Sequence, residues 1–213
     1  KGQVHWIPLP TQIGQNELTI ELQTAETTEI IKLSVFVNAI PTISYRPNTT
    51  EYINQGEVFN FVLQSFDANI NQPITWDLTA GPTNMTLNDV AELDWTADSL
   101  DYNVYIITLS DSIDTEMFYG KIYVNYQPKI ISRPKEAVHL GETFVYQIKV
   151  EDKNKTSPNN EKTENIIDIQ ILSGPALLEI KDKQLRWTPA EEDVGMHNIE
   201  IVATDQLAKT TQS

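Results

Sequence analysis

The chain has 213 residues, 40% of them apolar: enough for about two domains of roughly 100 residues, and too apolar for a disordered segment. Thirty acidic against 15 basic residues give a net charge of −15, a field that repels phosphate backbones and anionic lipid and so excludes nucleic-acid and membrane-surface partners. With no cysteine there is no disulfide and no thiolate zinc site, and no apolar run approaches the ~18 residues of a membrane span.

The chain opens on Trp6-Ile7-Pro8, with Gly14 eight residues after the tryptophan. Leu18, Ile20 and Leu22 then alternate with polar residues, and so do Leu33, Val35 and Val37. That period of two predicts half-buried strands. Pro41 begins an extended stretch, Pro41-Thr42-Ile43-Ser44-Tyr45-Arg46-Pro47, and Gly56-Glu57 leads into Phe59, Phe61 and Leu63. Asp67 closes that strand, Gly81-Pro82 marks a turn, and Trp95-Thr96-Ala97 follows. Asn103 stands where the first segment has Gly14, before Tyr105, Ile107 and Leu109 and then Lys121-Ile122-Tyr123-Val124-Asn125.

The same series then recurs. Pro128 to Pro134 matches Pro41 to Pro47, and Gly141-Glu142-Thr143-Phe144-Val145-Tyr146 matches Gly56 to Phe61. Asp152 matches Asp67, and Gly174-Pro175 matches Gly81-Pro82. Trp187-Thr188-Pro189, Gly195 and the alternating Ile199, Ile201 and Ala203 complete it. Anchors of this kind in one order define a tandem repeat. Residues 1–40 correspond to the C-terminal part of a preceding repeat, 41–127 to a complete copy, and 128–213 to a copy lacking its last strand, as if cut from a longer array. Turn signals every 8–12 residues and Val, Ile, Thr, Tyr and Phe in the runs between them predict an all-β chain of about seven short strands per copy. Trp6, Trp95, Trp187, Phe59, Phe61, Phe144 and Tyr146 are the expected core.

Trp187-Thr188-Pro189, Asp193-Val194-Gly195 and Ile199 to Asp205 resemble the end of an Ig-like repeat of large, bacterial-type surface proteins, grouped with dystroglycan-type cadherin-like domains. Gly141 to Tyr146 through Asp152 resembles the start of the same repeat. The resemblance covers nearly the whole chain. It implies tandem Ig-like/cadherin-like β-sandwich repeats at the cell surface, in stalk, adhesin or scaffold roles, sometimes with calcium.

Calcium in such domains uses acids at domain ends, where oxygen ligands meet. Asp67 with Asn69, Asp152 with Asn154, Asp111 with Asp114, and Asp205 are the candidates; the alternative is that they bond local backbone in turns. The linkers Asn38-Ala39-Ile40-Pro41 and Asn125-Tyr126-Gln127-Pro128 carry no acid, and Thr24 stands where Asp205 does. His5, His139 and His197 lack metal-ligand spacing. No nucleophile elbow or phosphate loop occurs, and the acid pairs Glu191-Glu192 and Glu161 with Glu164 read as solvated charge, so no catalysis is expected. Trp76, Tyr102, Tyr105 and Tyr119 are candidate surface aromatics for a glycan. The polar insertion from Lys153 to Asn165 is a recognition loop or a variable one. The chain thus reads as a structural or adhesive segment whose partners are neighbouring repeats and another surface protein or glycan. A carbohydrate-binding module and a filament subunit assembled by strand exchange are the alternatives.

Overall fold

Period-two alternation becomes β-strand from end to end. The computed structural model describes residues 3–213, with the side chains of 160–163 excepted. Lys1 and Gly2 of the expected first segment, and the side chain of Glu161 in the expected acid pair, lie outside the described residues. Apart from two 3-10 turns, Pro10–Gln12 and Glu191–Asp193, the regular structure is strand. None of the helices described is long and apolar enough to cross a membrane.

The chain forms two compact units. One comprises Lys1–Thr49, Asn60–Trp95 and Val104–Gly120; the other comprises Thr50–Phe59, Thr96–Asn103 and Lys121–Ser213. The segment 41–127 therefore gives strands to both.

In the first unit, Gly14–Gln23 and Thr28–Val37 form an antiparallel ribbon in register from Gly14 opposite Val37 to Gln23 opposite Thr28. Thr42–Tyr45 pairs with Gln64–Phe66, and Thr75–Ala80 pairs with the later part of the Asp101–Ser110 strand, from Thr75 opposite Ser110. Thr86–Leu87 pairs with Glu92–Thr96 through Leu93 and Asp94. Trp95, Leu93, Tyr105, Ile107 and Leu109 are fully buried, and the Trp95 indole N–H donates to Thr83 O at 3.1 Å. Gly120 lets the Tyr105 ring pass: a Cβ there would lie 2.1 Å from ring carbon Cζ.

In the second unit, Phe144–Gln147, Gln184–Trp187 and Glu179–Lys181 make one sheet; Asp168–Ser173, Glu200–Thr204 and Lys209–Gln212 make another. Their inner faces meet in a core of Phe144, Tyr146, Ile148, Leu185 and Ile201, which is the sandwich that alternation predicts. Thr50–Asn54 runs parallel to Lys121–Asn125, from Thr50 opposite Lys121 to Asn54 opposite Asn125.

Five of the seven expected core aromatics are buried: Trp95, Trp187, Phe59, Phe144 and Tyr146. Phe61 is half-buried and stacks on Tyr45, ring centroids 5.0 Å apart. Trp6 departs from the expectation. It is half-buried, and its indole N–H donates to Gln12 Oε1 at 3.3 Å.

Candidate functional site

One hairpin turn is built the same way three times. Thr24 N donates to Thr27 O at 2.8 Å, Asp111 N to Asp114 O at 3.3 Å, and Asp205 N to Ala208 O at 3.2 Å. In each turn the first side chain accepts backbone N–H groups, as Asx and Ser/Thr turns do. Thr24 Oγ1 takes Thr27 N at 3.0 Å, Asp111 Oδ1 takes Ile113 N and Asp114 N at 2.8 and 2.7 Å, and Asp205 Oδ1 takes Leu207 N and Ala208 N at 2.9 and 2.6 Å.

The aspartates have a second oxygen. In the first unit, Asn38 Nδ2 donates to Asp111 Oδ2 at 2.7 Å and to Asp114 Oδ2 at 2.9 Å. In the second, Asn125 Nδ2 donates to Asp205 Oδ2 at 2.9 Å. Another asparagine then brackets the same backbone. Asn69 Oδ1 accepts Ala39 N at 2.7 Å while its Nδ2 donates to Val37 O at 3.3 Å. Asn154 Oδ1 accepts Tyr126 N at 2.6 Å while its Nδ2 donates to Val124 O at 2.8 Å. Asp67 and Asp152 hold these asparagines by accepting their backbone N–H groups, at 2.7 and 2.9 Å. The result is a clasp made twice: a linker asparagine tied to a turn aspartate, with its flanking peptides tied to a second asparagine.

Asp111, Asn69, Asn125, Asn154 and Asp205 are all buried, so these bonds act away from water. Burial pushes the Asp111 carboxyl up, but N–H groups of Asp114, Asn38 and Ile113 outweigh it and hold the pKa below the usual carboxylate range. Asp152 shifts the other way: burial, with Asp205 and Asp101 nearby, raises it against the opposing N–H of Asn154. Burial also pushes up the Tyr123 phenol, with Asp101, Asp152 and Asp205 adding to it.

The second clasp gathers the polar insertion. Lys153 to Asn165 is not a loose loop: Thr156–Ser157 pairs with Asn160–Glu164. Asp101, at φ +64°, accepts the backbone N–H groups of Lys155 and Thr156 at 3.0 and 3.1 Å and the Thr156 hydroxyl at 3.0 Å. Tyr102 and Tyr123 donate to Pro158 O and Thr156 O, both at 2.6 Å.

The expected calcium residues are thus brought together, but around amides. Among the described residues, no group of three or more imidazole, thiol or carboxylate side chains is arranged to hold a metal. Asn38 Nδ2 stands between two carboxylates, and the Asp205 carboxylate accepts three N–H groups. The carboxylate oxygens of the clasps face N–H groups, while the buried Asn38 Oδ1, Asp67 Oδ2 and Asn125 Oδ1 have no hydrogen-bond partner.

The expected aromatic platform is not assembled. Tyr105 is fully buried, correcting its place as a surface aromatic: alternation along Asp101–Ser110 turns it to the core. Tyr102 is engaged with Pro158, Trp76 is half-buried, and of the four Tyr119 alone is largely exposed. His197 Nε2–H donates to Asp193 O at 2.7 Å, and the ring packs edge-on to Trp187 at 5.0 Å. Glu191 and Glu192 face solvent on their 3-10 turn. Asn38, Asn125 and Asp101 were not legible as site residues from composition. The usable signal was Val-Asn closing equivalent strands at Val37-Asn38 and Val124-Asn125.

No family model matches the chain, and no curated protein matches it. Solved structures do. Extracellular domains 3–5 of Drosophila OTK match at 11% identity and TM-score 0.58, over 96% of this chain and 70% of that one. An I-band fragment of titin matches at 11% identity and TM-score 0.52, over 92% and 72%. An endo-fucoidan hydrolase of glycoside hydrolase family 107 matches at 15% identity and TM-score 0.36, over 96% of this chain; the chain spans about a third, 34%, of its length. The fold is accordingly that of tandem Ig-like β-sandwich domains.

Proposed function

We propose that the chain is a structural or adhesive segment, a stalk or scaffold, of a long extracellular surface protein with repeats 1–40, 41–127 and 128–213. The observation that carries this reading is the duplicated clasp. The same four side-chain positions, Asn38/Asn125, Asp67/Asp152, Asn69/Asn154 and Asp111/Asp205, fix the chain where one repeat passes to the next. A segment that spends buried polar groups on holding linkers is suited to transmitting position and load. The titin and OTK likenesses support the fold on which that reading rests. The acidic surface and the absence of cysteine fit a solvated cell-surface location.

Partners are then neighbouring repeats, with another surface protein or glycan at the distal end. Labelling intact cells with an antibody to residues 41–213 tests the location. Staining before permeabilisation is expected, and a signal seen only after lysis would sink the proposal.

A further inference from the structure

Three runs carry the Asn-x-Thr pattern of N-glycan acceptors: Asn48-Thr49-Thr50, Asn84-Met85-Thr86 and Asn154-Lys155-Thr156. The pattern recurs easily in a chain rich in both residues, so the sequence ranks none of the three above the others. The structure does.

Asn154 is engaged. Its two amide hydrogens go to Val124 O at 2.8 Å and Asp101 Oδ1 at 3.2 Å, and the residue is buried. An N-glycosidic bond takes the place of one of those hydrogens, so a sugar on Asn154 and the clasp exclude each other. Asn48 is exposed, but the hydroxyl of its run belongs to Thr50, half-buried where Thr50–Asn54 starts to pair with Lys121–Asn125.

Asn84 is different. Met85 N donates to Pro82 O at 3.1 Å, closing a turn in which Asn84 takes φ +66°. The turn is pinned on either side of it: Thr83 O accepts the Trp95 indole N–H, and the Met85 side chain is buried. Asn84 and Thr86 are both exposed, and neither side chain has a hydrogen-bond partner among the described residues. Asparagine is favoured at a left-handed position for its own sake. Yet in the equivalent turn of the 128–213 copy Leu178 N donates to Pro175 O and Leu177 sits at φ +63°, so the turn closes without an amide.

The run also lies on an edge. Thr86–Leu87 pairs with Glu92–Thr96 on one side, and no strand pairs along its other side among the described residues. Val90, 72% exposed, adds an apolar group on the hairpin that joins these two strands. A bare edge of this kind invites pairing with other chains.

We propose that Asn84 is an N-glycosylation acceptor and that its glycan shields this edge. The proposal rests on the cell-surface reading above, because the donor, an oligosaccharide on a lipid pyrophosphate, is met during export. Asn84 Nδ2 attacks the anomeric carbon of the donor. The C–N bond forms as the C–O bond to pyrophosphate breaks, the lipid pyrophosphate leaves with the electron pair, and one amide proton passes to a base of the transferase. The Thr86 hydroxyl, two residues on and exposed, is the group by which the transferase holds the run.

The test is secretion of the 213-residue chain from cultured eukaryotic cells behind a cleavable leader, beside Asn84→Gln and Thr86→Ala. Enzymatic removal of an N-glycan leaves aspartate, so peptide mass marks each acceptor. Wild type is expected to carry a glycan at Asn84 and both variants to lose it; T86A keeps the amide and shows that the whole run is read. Wild-type chain secreted with Asn84 bare overturns the proposal, and so does a glycan on Asn84 that survives in T86A. A glycan on Asn154 in the folded, secreted chain overturns the selection argued from its hydrogen bonds. Light scattering on heating tests the shield. Glycosylated wild type is expected to aggregate at a higher temperature than the same chain after glycan removal, and an unchanged onset refutes that role. The leader imposes export, so none of these outcomes decides where the chain resides, which labelling tests separately.

Discussion

Replacing Asn125 by alanine isolates the clasp. Asn125 is 2% exposed, and its Nδ2 makes a 2.9 Å bond to Asp205, which is 1% exposed. A hydrogen bond to a charged group contributes about 1.5–3 kcal/mol, and its loss also leaves one buried Oδ2 short of a donor. Asn125 Oδ1 has no partner, so deleting it returns some desolvation cost. The net loss for Asn125→Ala is therefore about 1–3 kcal/mol. Asn125→Asp costs more at neutral pH, because it sets a carboxylate against Asp205 where a donor stood, and acidification recovers part of the difference. Urea unfolding followed by tryptophan fluorescence reads both, as shifts in midpoint at constant slope. If Asn125→Ala unfolds with the wild-type midpoint, or Asn125→Asp matches Asn125→Ala at pH 7, the clasp carries no stability and the reasoning fails.

Gly120→Ala drives a Cβ into the Tyr105 ring and should cost at least about 1–3 kcal/mol, with Tyr105 displaced in a crystal structure of the variant. Trp95→Ala empties the centre of the first unit's core and should cost about 3–5 kcal/mol in thermal or urea unfolding. The carboxylates give opposite pH responses. The lowered pKa of Asp111 makes a contribution that is present above the unfolded carboxylate pKa of about 3.9 and lost as pH falls through the lower folded value. The raised pKa of Asp152 makes its ionised form unfavourable, so stability is gained as pH falls through its folded value. Hydrogen exchange at the amides of Asp114 and Asn154 follows the two separately. Calcium at millimolar concentration should leave the melting temperature of the wild-type chain where EDTA leaves it; a rise of several degrees would show that the oxygens rearrange around the ion.

The strands were legible because their signal is local. Leu18, Ile20 and Leu22, or Tyr105, Ile107 and Leu109, show the pleat directly, and Trp95 and Trp187 announce their cores by recurring. Tyr105 shows the limit: the same alternation that predicts its strand decides that it points inward, yet with apolar Val104 and Ile106 on either side the face that is buried stays open until the register is fixed. The clasp was half visible. Asp67, Asn69, Asp152, Asn154 and Asp205 stand out as acids and amides near strand ends, but their partners Asn38 and Asn125 lie more than 70 residues away in sequence from Asp111 and Asp205. A bond of that span is set by tertiary packing and leaves no local trace. Asp101 is harder still, because its role follows from a left-handed backbone angle and an insertion that begins more than 50 residues later.

Why an amide at this place, in a chain with twice as many acids as bases, has a physical answer. A lysine or arginine would pair with the turn aspartate, but a long charged side chain in so buried a site pays a large desolvation cost. A divalent cation would make the linker depend on its concentration. The asparagine amide is short and neutral, and its two N–H groups point in fixed directions, which is how Asn38 meets Asp111 and Asp114 together. Screening by salt weakens exposed ion pairs and leaves a buried, directional bond of this kind largely intact. Where the turn residue is Thr24, the single hydroxyl is used up within its own turn, its oxygen accepting Glu26 N and Thr27 N and its proton facing Thr27. The second carboxylate oxygen is therefore what converts an ordinary hairpin turn into a point of attachment. Each aspartate that carries it is matched by an asparagine at the end of an earlier long strand, Asp111 by Asn38 just after Thr28–Val37 and Asp205 by Asn125 at the end of Thr115–Asn125.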